Sequence, residues 1–439
     1  MNIENIIFLF LFIIGMGLFI YNVLKVRRNI LLGKNVVLNG EFAKRWKNVF
    51  RVALGQSKTV TRPIPGILHF IVYVGFIVVN IEFLEILIDG TFGTHRVFSF
   101  LGKIYILLIA CFEWFAILVI FACAVFLIRR NLIRLKRFWM REMTIWPRSD
   151  ANIILTTEIL LMTAFLSLNA SDYLLQLSGN AHYFKLSESA FPISIFLSKV
   201  FIGMPESSLI FIERFTWWFH IIGIFAFMNY LPYSKHFHIL LSFPNVYYSK
   251  LFPKGQLTNL ESVTREVKMM LDTSANPVEQ TNPPCPEKFG AKDVFDLSWK
   301  QLMDAYSCTE CGRCSSVCPA TQTGKFLSPR KIMMDTRDRL EEVGKNIDMN
   351  KKFVDDGKSL FGNYILPEEI WACTTCNACV QECPVNIDQI SIIIDIRRFL
   401  VMEQSSAPQA LNMTFTNIEN NGAPWQFSPA DRLNWSNEK

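Results

Sequence analysis

The sequence predicts a mainly α-helical protein, in which a five-helix transmembrane bundle is followed by a helical cytoplasmic domain. Three observations support this fold class. Of the 439 residues, 51% are hydrophobic and only 19% are charged, whereas soluble chains carry ~25% charged residues. The apolar residues concentrate in the first 245 positions, and eight of the eleven cysteines lie between positions 308 and 383. The composition therefore excludes a wholly soluble chain and a disordered one.

Five apolar runs are candidates for helices that cross a bilayer, which requires ~20 residues. They occupy positions 6–24, 67–87, 104–127, 153–168 and 215–231. The first run has neither the preceding basic residues nor the following small-residue cleavage site of a secretory signal peptide. We therefore expect the first run to be a retained transmembrane helix.

Basic residues are distributed unevenly among the connections between these runs. The first connection contains ten Lys or Arg and one acidic residue, and the third contains seven Lys or Arg. The connections near positions 89–103 and 171–206 contain two each. Because basic connections stay in the cytoplasm, we expect a multi-pass protein of the bacterial inner membrane with its N-terminus outside. The net charge of +6 then reflects topology and contact with membrane lipid, and we expect no nucleic-acid partner.

Two cysteine motifs with the same spacing lie in the second half of the chain. Both read C-x2-C-x2-C-x3-C-P, and they comprise Cys308, Cys311, Cys314 and Cys318, and then Cys373, Cys376, Cys379 and Cys383. This spacing is typical of bacterial two-cluster ferredoxins, in which the fourth cysteine binds the other cluster. The sequence therefore predicts two 4Fe–4S clusters, cluster one held by Cys308, Cys311, Cys314 and Cys383, and cluster two by Cys373, Cys376, Cys379 and Cys318.

Zinc sites and disulfides are weaker explanations of these motifs. Zinc needs four ligands, usually as two spaced pairs, and disulfides do not persist in a reducing cytoplasm. Ser328 and Pro329 provide a helix start, and positions 387–402 show apolar helical periodicity, so we expect an all-helical ferredoxin domain. Cys111 and Cys123 are expected to be buried structural thiols. Cys285 is expected to be a loop thiol.

Histidines near the membrane surfaces indicate a haem site. His69 lies at the cytoplasmic end of the second run, and His220 and His238 are 18 residues apart around the fifth. A continuous helix would place these two on one face, ~27 Å apart, with His236 on the opposite face, although Pro232 can kink it. We predict one haem b between His69 and His238, and a second on His220 with His95 or His182 as partner. Polar residues at the interface are the alternative explanation.

Four carboxylates fall within the apolar runs, namely Glu82, Glu85, Glu113 and Glu158. Intramembrane acids cost ~2.5–3.5 kcal/mol at mid-bilayer and are functional candidates for that reason. A role at a quinone site or in a proton path is one interpretation. Pairing with Lys or Arg, or a position among the lipid headgroups, is the other.

The first half of the chain resembles the five-helix cytochrome b subunit of nitrate reductase and of membrane heterodisulfide reductase. The resemblance rests on the five runs, the outside N-terminus and the histidines of the second and fifth runs. The fusion to Cys308-Thr-Glu-Cys-Gly-Arg-Cys is similar to bacterial iron–sulfur oxidoreductases related to heterodisulfide reductase. In the nitrate reductase pattern the second helix carries two histidine ligands, but here it carries only His69. Longer family members add tandem cysteine-rich modules, which are expected here on another polypeptide because no cysteine follows Cys383.

The complete interpretation is a membrane-bound electron-transfer subunit. It divides the chain into a membrane domain (1–245), a linker (246–297), a ferredoxin domain (298–405) and a tail that contacts a partner (406–439). Electrons would pass between a cytoplasmic redox protein, either a cysteine-rich heterodisulfide-reductase-like subunit or a flavoprotein, and the quinone pool. The alternatives are a tethered iron–sulfur redox sensor and a haem-free anchor for a partner enzyme.

Overall fold

The computed structural model describes residues 2–38, 40–180, 183, 186–271 and 288–437. His182, Cys285 and the C-terminal Lys439 lie outside these ranges. The described residues are mainly helical and contain no β-strand, which confirms the predicted fold class. An isolated bridge between Lys34 and Ser298 joins the two halves of the chain.

Nine helices make up the first part of the described chain. They are α1 (Ile3–Ile30), α2 (Phe42–Asn48), α3 (Pro63–Phe92), α4 (Lys103–Leu127), α5 (Ile145–Leu177), α6 (Ser194–Ser198), α7 (Glu206–Tyr230), α8 (His238–Tyr247) and α9 (Glu261–Leu271). Five of these, α1, α3, α4, α5 and α7, are long and apolar enough to cross a membrane, and they coincide with the five predicted runs.

The five long helices pack as a bundle with two apolar cores. Helices α3, α4 and α5 share one core around Phe112, Ala116 and Phe165. Helices α1, α3 and α7 share another around Phe8 and Phe225. Helices α1 and α3 come close together at Gly90, where a Cβ atom would lie 2.6 Å from the ring of Phe8. Small residues commonly allow such close helix contacts in membranes.

The fifth long helix ends earlier than the sequence predicts. Helix α7 stops at Tyr230, a 3₁₀ turn follows, and Ser234 is extended (φ −115°, ψ 152°) before α8 starts at His238. The side chain of Asp150 on α5 accepts hydrogen bonds from the Tyr230 hydroxyl at 2.6 Å and from the Ser234 hydroxyl at 2.7 Å. Since the helix is interrupted, the prediction that His220 and His238 share one face of a continuous helix is wrong.

Eight further helices follow the linker. They are α10 (Trp299–Tyr306), α11 (Arg313–Val317), α12 (Pro319–Gln322), α13 (Pro329–Asn350), α14 (Pro367–Trp371), α15 (Ala378–Glu382), α16 (Gln389–Arg398) and α17 (Gln409–Asn421). Helix α13 starts where the sequence predicts, with the Ser328 side chain as its N-cap and Pro329 in the first turn. Helices α10, α13 and α16 enclose a core that includes the fully buried Leu302, Ile332 and Ile392.

The core of this second domain extends beyond its expected boundaries. Val26 and Ile30, at the C-terminal end of α1, belong to the same core. Ala291, Val294 and Leu297 are also buried in it, although the sequence assigns them to the linker. The membrane bundle and the second domain are therefore joined by shared apolar packing as well as by the chain.

Basic residues at the end of α1 and in the connection before α3 bind acidic residues of the second domain. Lys25 lies 3.0 Å from Asp348, and Arg62 lies 3.0 Å from Glu382. In the reverse sense, Arg330 of the second domain is fully buried and donates to Glu142 of the membrane half at 2.6 Å. The ion pairs of these connections therefore help to hold the two domains together, besides the topology that their basic residues predict.

We expect Glu142→Ala to destabilise the second domain by about 3–5 kcal/mol, because it leaves the buried guanidinium of Arg330 without its partner. Thermal loss of the visible absorbance in detergent measures the effect. Glu41→Ala is the matched control, since the Lys44–Glu41 pair is exposed and such pairs contribute less than about 1 kcal/mol. Equal melting temperatures for the two variants would contradict the expectation.

Candidate functional site: two cysteine loops and a histidine cluster

The two cysteine motifs form loops with matching backbone conformation. Glu310 and Thr375 occupy the same position in the two motifs and have φ values of 53° and 54°. Gly312 (φ 70°) and Asn377 (φ 61°) correspond in the same way and immediately precede α11 and α15. Left-handed residues are uncommon outside glycine, so their repetition indicates that each loop is curled in the same specific way.

The fourth cysteine of each motif lies beside the other motif. The Cys383 thiol interacts electrostatically with those of Cys308 and Cys311, and Cys373 interacts with Cys318 and Cys376. The structure thus brings together the two sets of four thiols that the crossed arrangement requires. Their role as cluster ligands stays a prediction.

Cys314 and Cys379 belong to one small apolar group with Ile390 and interact electrostatically, so the two sets of thiols are neighbours. Burial raises the pKa of the Cys308 thiol to about 11 and that of Cys383 to about 12. Buried thiols of this kind need nearby positive charge to ionise, and bound iron provides it. Within the described ranges, no three His, Cys, Asp or Glu side chains are placed to hold a single metal ion.

Three histidines meet at the end of the bundle that faces the second domain, and we call them the histidine cluster: His69 on α3, and His236 and His238 around the start of α8. The ring centroids of His69 and His238 are 6.4 Å apart, at an interplanar angle of 43°. Those of His236 and His238 are 5.6 Å apart. The expectation that His236 faces away is therefore wrong, because the break after α7 turns the segment.

The ring nitrogens of the histidine cluster have few protein partners. His238 donates from Nδ1 to the carbonyl oxygen of Lys235 at 3.0 Å, which leaves Nε2 available. Nδ1 of His69 and Nε2 of His236 are buried without a hydrogen-bond partner. His236 and His238 lie outside the membrane-spanning helices. Burial lowers the pKa of His236 to about 3 and lowers that of His238, so both imidazoles are neutral at pH 7.

Lys235 connects the histidine cluster to the first cysteine loop. Its ammonium group pairs with the carboxylate of Glu310, which lies between Cys308 and Cys311, and its carbonyl group accepts the hydrogen bond from His238. Glu310 also pairs with Arg337 at 2.9 Å. Sequence reasoning missed this link, although two charged residues inside the motif Cys-Thr-Glu-Cys-Gly-Arg-Cys were a visible signal.

Arg313, the other charged residue of the first motif, also bridges the two regions. Its guanidinium donates to the carbonyl oxygens of Lys58 at 2.7 Å and Thr59 at 2.8 Å, in the connection before α3. It interacts electrostatically with Cys311 and with His69. The first cysteine loop is therefore held against the N-terminal end of α3.

His220 lies apart from the histidine cluster, in a cavity between α3, α4, α5 and α7 that we call the membrane cavity. Its Nδ1 donates to the carbonyl oxygen of Leu161 at 3.0 Å. The described residues that line the cavity include Val79, Asn80 and Glu158 but no second histidine. His95 packs its ring against Tyr183, with centroids 5.5 Å apart. The second haem stays a prediction without an identified partner for His220.

The fold and the site define a class of protein, which the comparisons with known proteins support. Residues 304–387 match the family model described as 4Fe-4S dicluster domain. The chain is similar to iron–sulfur oxidoreductases related to heterodisulfide reductase, and it carries five helices long and apolar enough to cross a membrane. No solved structure matches it.

Particular relatives extend over different parts of the chain. The probable iron-sulfur-binding oxidoreductase FadF of Bacillus subtilis is 29% identical over 99% of the chain and 61% of its own length. The EtfAB:quinone oxidoreductase of Syntrophomonas wolfei is 27% identical over 97% of the chain and 59% of its own length. One subunit of a CoB-CoM heterodisulfide reductase of Methanosarcina acetivorans is 30% identical over 27% of the chain and 60% of its own length. The chain thus spans about three fifths of the first two relatives.

Proposed function

We propose that the protein passes electrons between a cytoplasmic redox partner and the quinone pool, through two 4Fe–4S clusters and a haem b held by His69 and His238. The observation that carries this proposal is the pairing of these two rings across α3 and the start of α8. Without such a pair, the cysteine loops would have no redox connection into the bilayer.

The distance between the two rings fits metal ligation from opposite faces. With a metal–nitrogen bond of ~2.0 Å, each ring centre stands ~3 Å from the metal, and the observed centroid separation is 6.4 Å. The hydrogen bond from His238 Nδ1 to a backbone carbonyl is typical of a metal-bound imidazole. The buried ring nitrogens of His69 and His236 that have no hydrogen-bond partner also favour a bound group in the histidine cluster. A haem in this position supplies a one-electron carrier.

Residues of the chain hold the proposed carriers in fixed relation. Cys314 and Cys379 belong to one small apolar group with Ile390, which would place cluster two beside cluster one. Glu310 and Lys235 tie the loop of cluster one to the segment that carries His238. This order supports electron passage from cluster two to cluster one, and from there to the haem.

The membrane cavity is our candidate for the quinone site. Its lining is mainly apolar, with His220, Asn80 and Glu158 as polar groups, and such a composition suits a lipid-soluble ring with carbonyl oxygens. The name of one relative, EtfAB:quinone oxidoreductase, supports a quinone as the substrate. Nε2 of His220 would hydrogen-bond the quinone in place of the predicted second haem, because Nδ1 already donates to Leu161.

The tail is our candidate for the contact with the cytoplasmic partner, a flavoprotein or a cysteine-rich subunit of the heterodisulfide reductase type. Apolar side chains of α17 and the residues after it are exposed, namely Met413, Phe415, Ile418, Trp425, Phe427, Leu433 and Trp435. Exposed apolar residues in this number favour a protein contact.

Membrane vesicles test the function and the proposed orientation together. Dithionite, an anion that does not cross membranes, should reduce the cluster and haem absorbance rapidly in inverted vesicles and slowly in right-side-out vesicles. A lipid-soluble naphthoquinone added afterwards should reoxidise the haem. Equal rates in both vesicle types would contradict the cytoplasmic location. Clusters without haem absorbance would favour the haem-free anchor, and a failure of the naphthoquinone to reoxidise the haem would overturn the quinone assignment.

A further inference from the structure

Three carboxylates lie on one face of α3, between the membrane cavity and the end of the helix. Glu82, Glu85 and Asp89 are spaced at i, i+3 and i+7, which places them on the same side. Val79, one turn before Glu82, lines the cavity. Glu82 and Glu85 are buried and Asp89 is half-buried. From Val79 to Asp89 the helix rises ~15 Å, about half the thickness of the hydrocarbon core.

Polar groups continue from the second carboxylate to the surface. Glu85 Oε2 accepts from the Tyr105 hydroxyl at 2.9 Å, and this hydroxyl accepts from Arg96 Nη1 at 3.3 Å. Arg96 in turn donates its backbone N–H to Asp89 Oδ2 at 2.7 Å. Asp89 also accepts from the hydroxyl of the exposed Thr94 at 2.5 Å. The chain of polar groups therefore reaches solvent at the end of α3 that the charge pattern assigns to the outside.

Glu82 differs from the other acids because it has a free oxygen. Its Oε2 is buried without a hydrogen-bond partner, and the residue is only 6% exposed. The charged groups that act on it are Arg96, Glu85 and Glu113.

The positive charge near Glu82 is already engaged. Arg96 donates from Nε to Asp172 at 2.8 Å. Glu113 has its own partners, since Asn169 donates to one oxygen at 3.1 Å and the backbone N–H of Ile193 donates to the other at 2.8 Å. A buried carboxylate without a dedicated cation is costly and takes up a proton instead. Glu82 is thus placed to accept and release a proton, whereas Asp172 and Glu113 have structural partners.

We propose that Glu82, Glu85 and Asp89 form a proton path between the membrane cavity and the outer surface. This inference rests on the proposed quinone function. Oxidation of a quinol yields the quinone, two electrons and two protons, and breaks two O–H bonds. The electrons pass to the haem and the clusters, while the protons pass from the quinol oxygens to Glu82 and along the path to water outside. Quinone reduction uses the same path inward.

The test uses the full chain in liposomes, with menadiol as the membrane-soluble quinol and haem reduction as the readout. Glu82→Gln cannot carry a proton, so it should slow reduction by menadiol about tenfold or more, while the dithionite-reduced spectrum stays unchanged. Glu82→Asp should restore part of the rate. Glu188→Gln, which changes an exposed acid on the same side, should behave as the unaltered protein.

The outcomes separate the path from the function on which it rests. If menadiol does not reduce the unaltered protein, the proposed quinone function is overturned. If menadiol reduces the unaltered protein and Glu82→Gln at equal rates, the path is overturned and the quinone function stands. A second measurement applies if Glu82→Gln does not fold. A pH-sensitive dye then reports the side of the membrane on which the unaltered protein releases protons during menadiol oxidation. Release on the side opposite the cysteine loops is expected, and release on the same side as the loops overturns the path.

Discussion

Replacing His69 by alanine should remove the b-type haem spectrum of the purified protein and leave its iron–sulfur content unchanged. Neutral imidazoles on both faces of the iron hold a low-spin haem, and the loss of one ring leaves the iron without one of its two protein ligands. The cysteine loops lie in the other domain, so the clusters do not depend on this side chain. Reduced-minus-oxidised difference spectra, with iron and sulfide analysis of the same sample, measure both effects.

His236→Ala is the matched control for this experiment. His236 lies two residues from His238, with ring centroids 5.6 Å apart, so these two rings cannot reach opposite faces of one haem. We therefore expect His236→Ala to retain the haem, and His238→Ala to lose it as His69→Ala does. A full haem spectrum in His69→Ala, or a haem lost only in His236→Ala, would show that the ligand pair is wrong.

Replacing Cys318 by serine should halve the iron content, from about eight to about four atoms per chain, since two cubanes carry about four irons each. The cluster lost should be cluster two, although Cys318 belongs to the first motif, because this thiol lies beside those of Cys373 and Cys379. Cys383→Ser should have the reciprocal effect and damage cluster one. Electron paramagnetic resonance of the reduced protein distinguishes the two clusters.

The functional consequences of the two cysteine variants should also differ. The ion pair of Glu310 with Lys235 joins the first cysteine loop to the histidine cluster. If cluster one is the carrier next to the haem, Cys383→Ser should block haem reduction by the redox partner, and the effect of Cys318→Ser should depend on where that partner delivers electrons. Cys285→Ser, outside both motifs, should keep the full iron content. Loss of cluster one alone in Cys318→Ser would exclude the crossed arrangement.

The features predictable from the sequence were those that local pattern determines. Long apolar runs and repeated cysteine spacings can be interpreted without knowledge of the fold. The runs are confirmed as five long helices, and the cysteine motifs lie in a region that matches a 4Fe-4S dicluster domain. The pairing of His69 with His238 was predicted from matching depth, and the structure brings these rings together.

The features that the sequence did not reveal depend on contacts between distant elements. The end of α7 at Tyr230 is stabilised by Asp150 from α5, which binds the Ser234 hydroxyl and the backbone N–H of Lys235. No periodicity within α7 encodes this partner, so extrapolation of one helix through Pro232 gave the wrong face for His236. The same reasoning applies to Lys235 and Glu310, which are 75 residues apart in the chain.

The burial of Val26 and Ile30 in the core of the second domain has a consequence for the order in which the protein is made. These side chains belong to a helix that is translated before the second domain, and the residues that cover them follow some 270 positions later. The C-terminal end of α1 therefore stays uncovered until the second domain has been made. Assembly of the clusters would follow membrane insertion, and a fragment that begins at residue 298 would present an open apolar face to water.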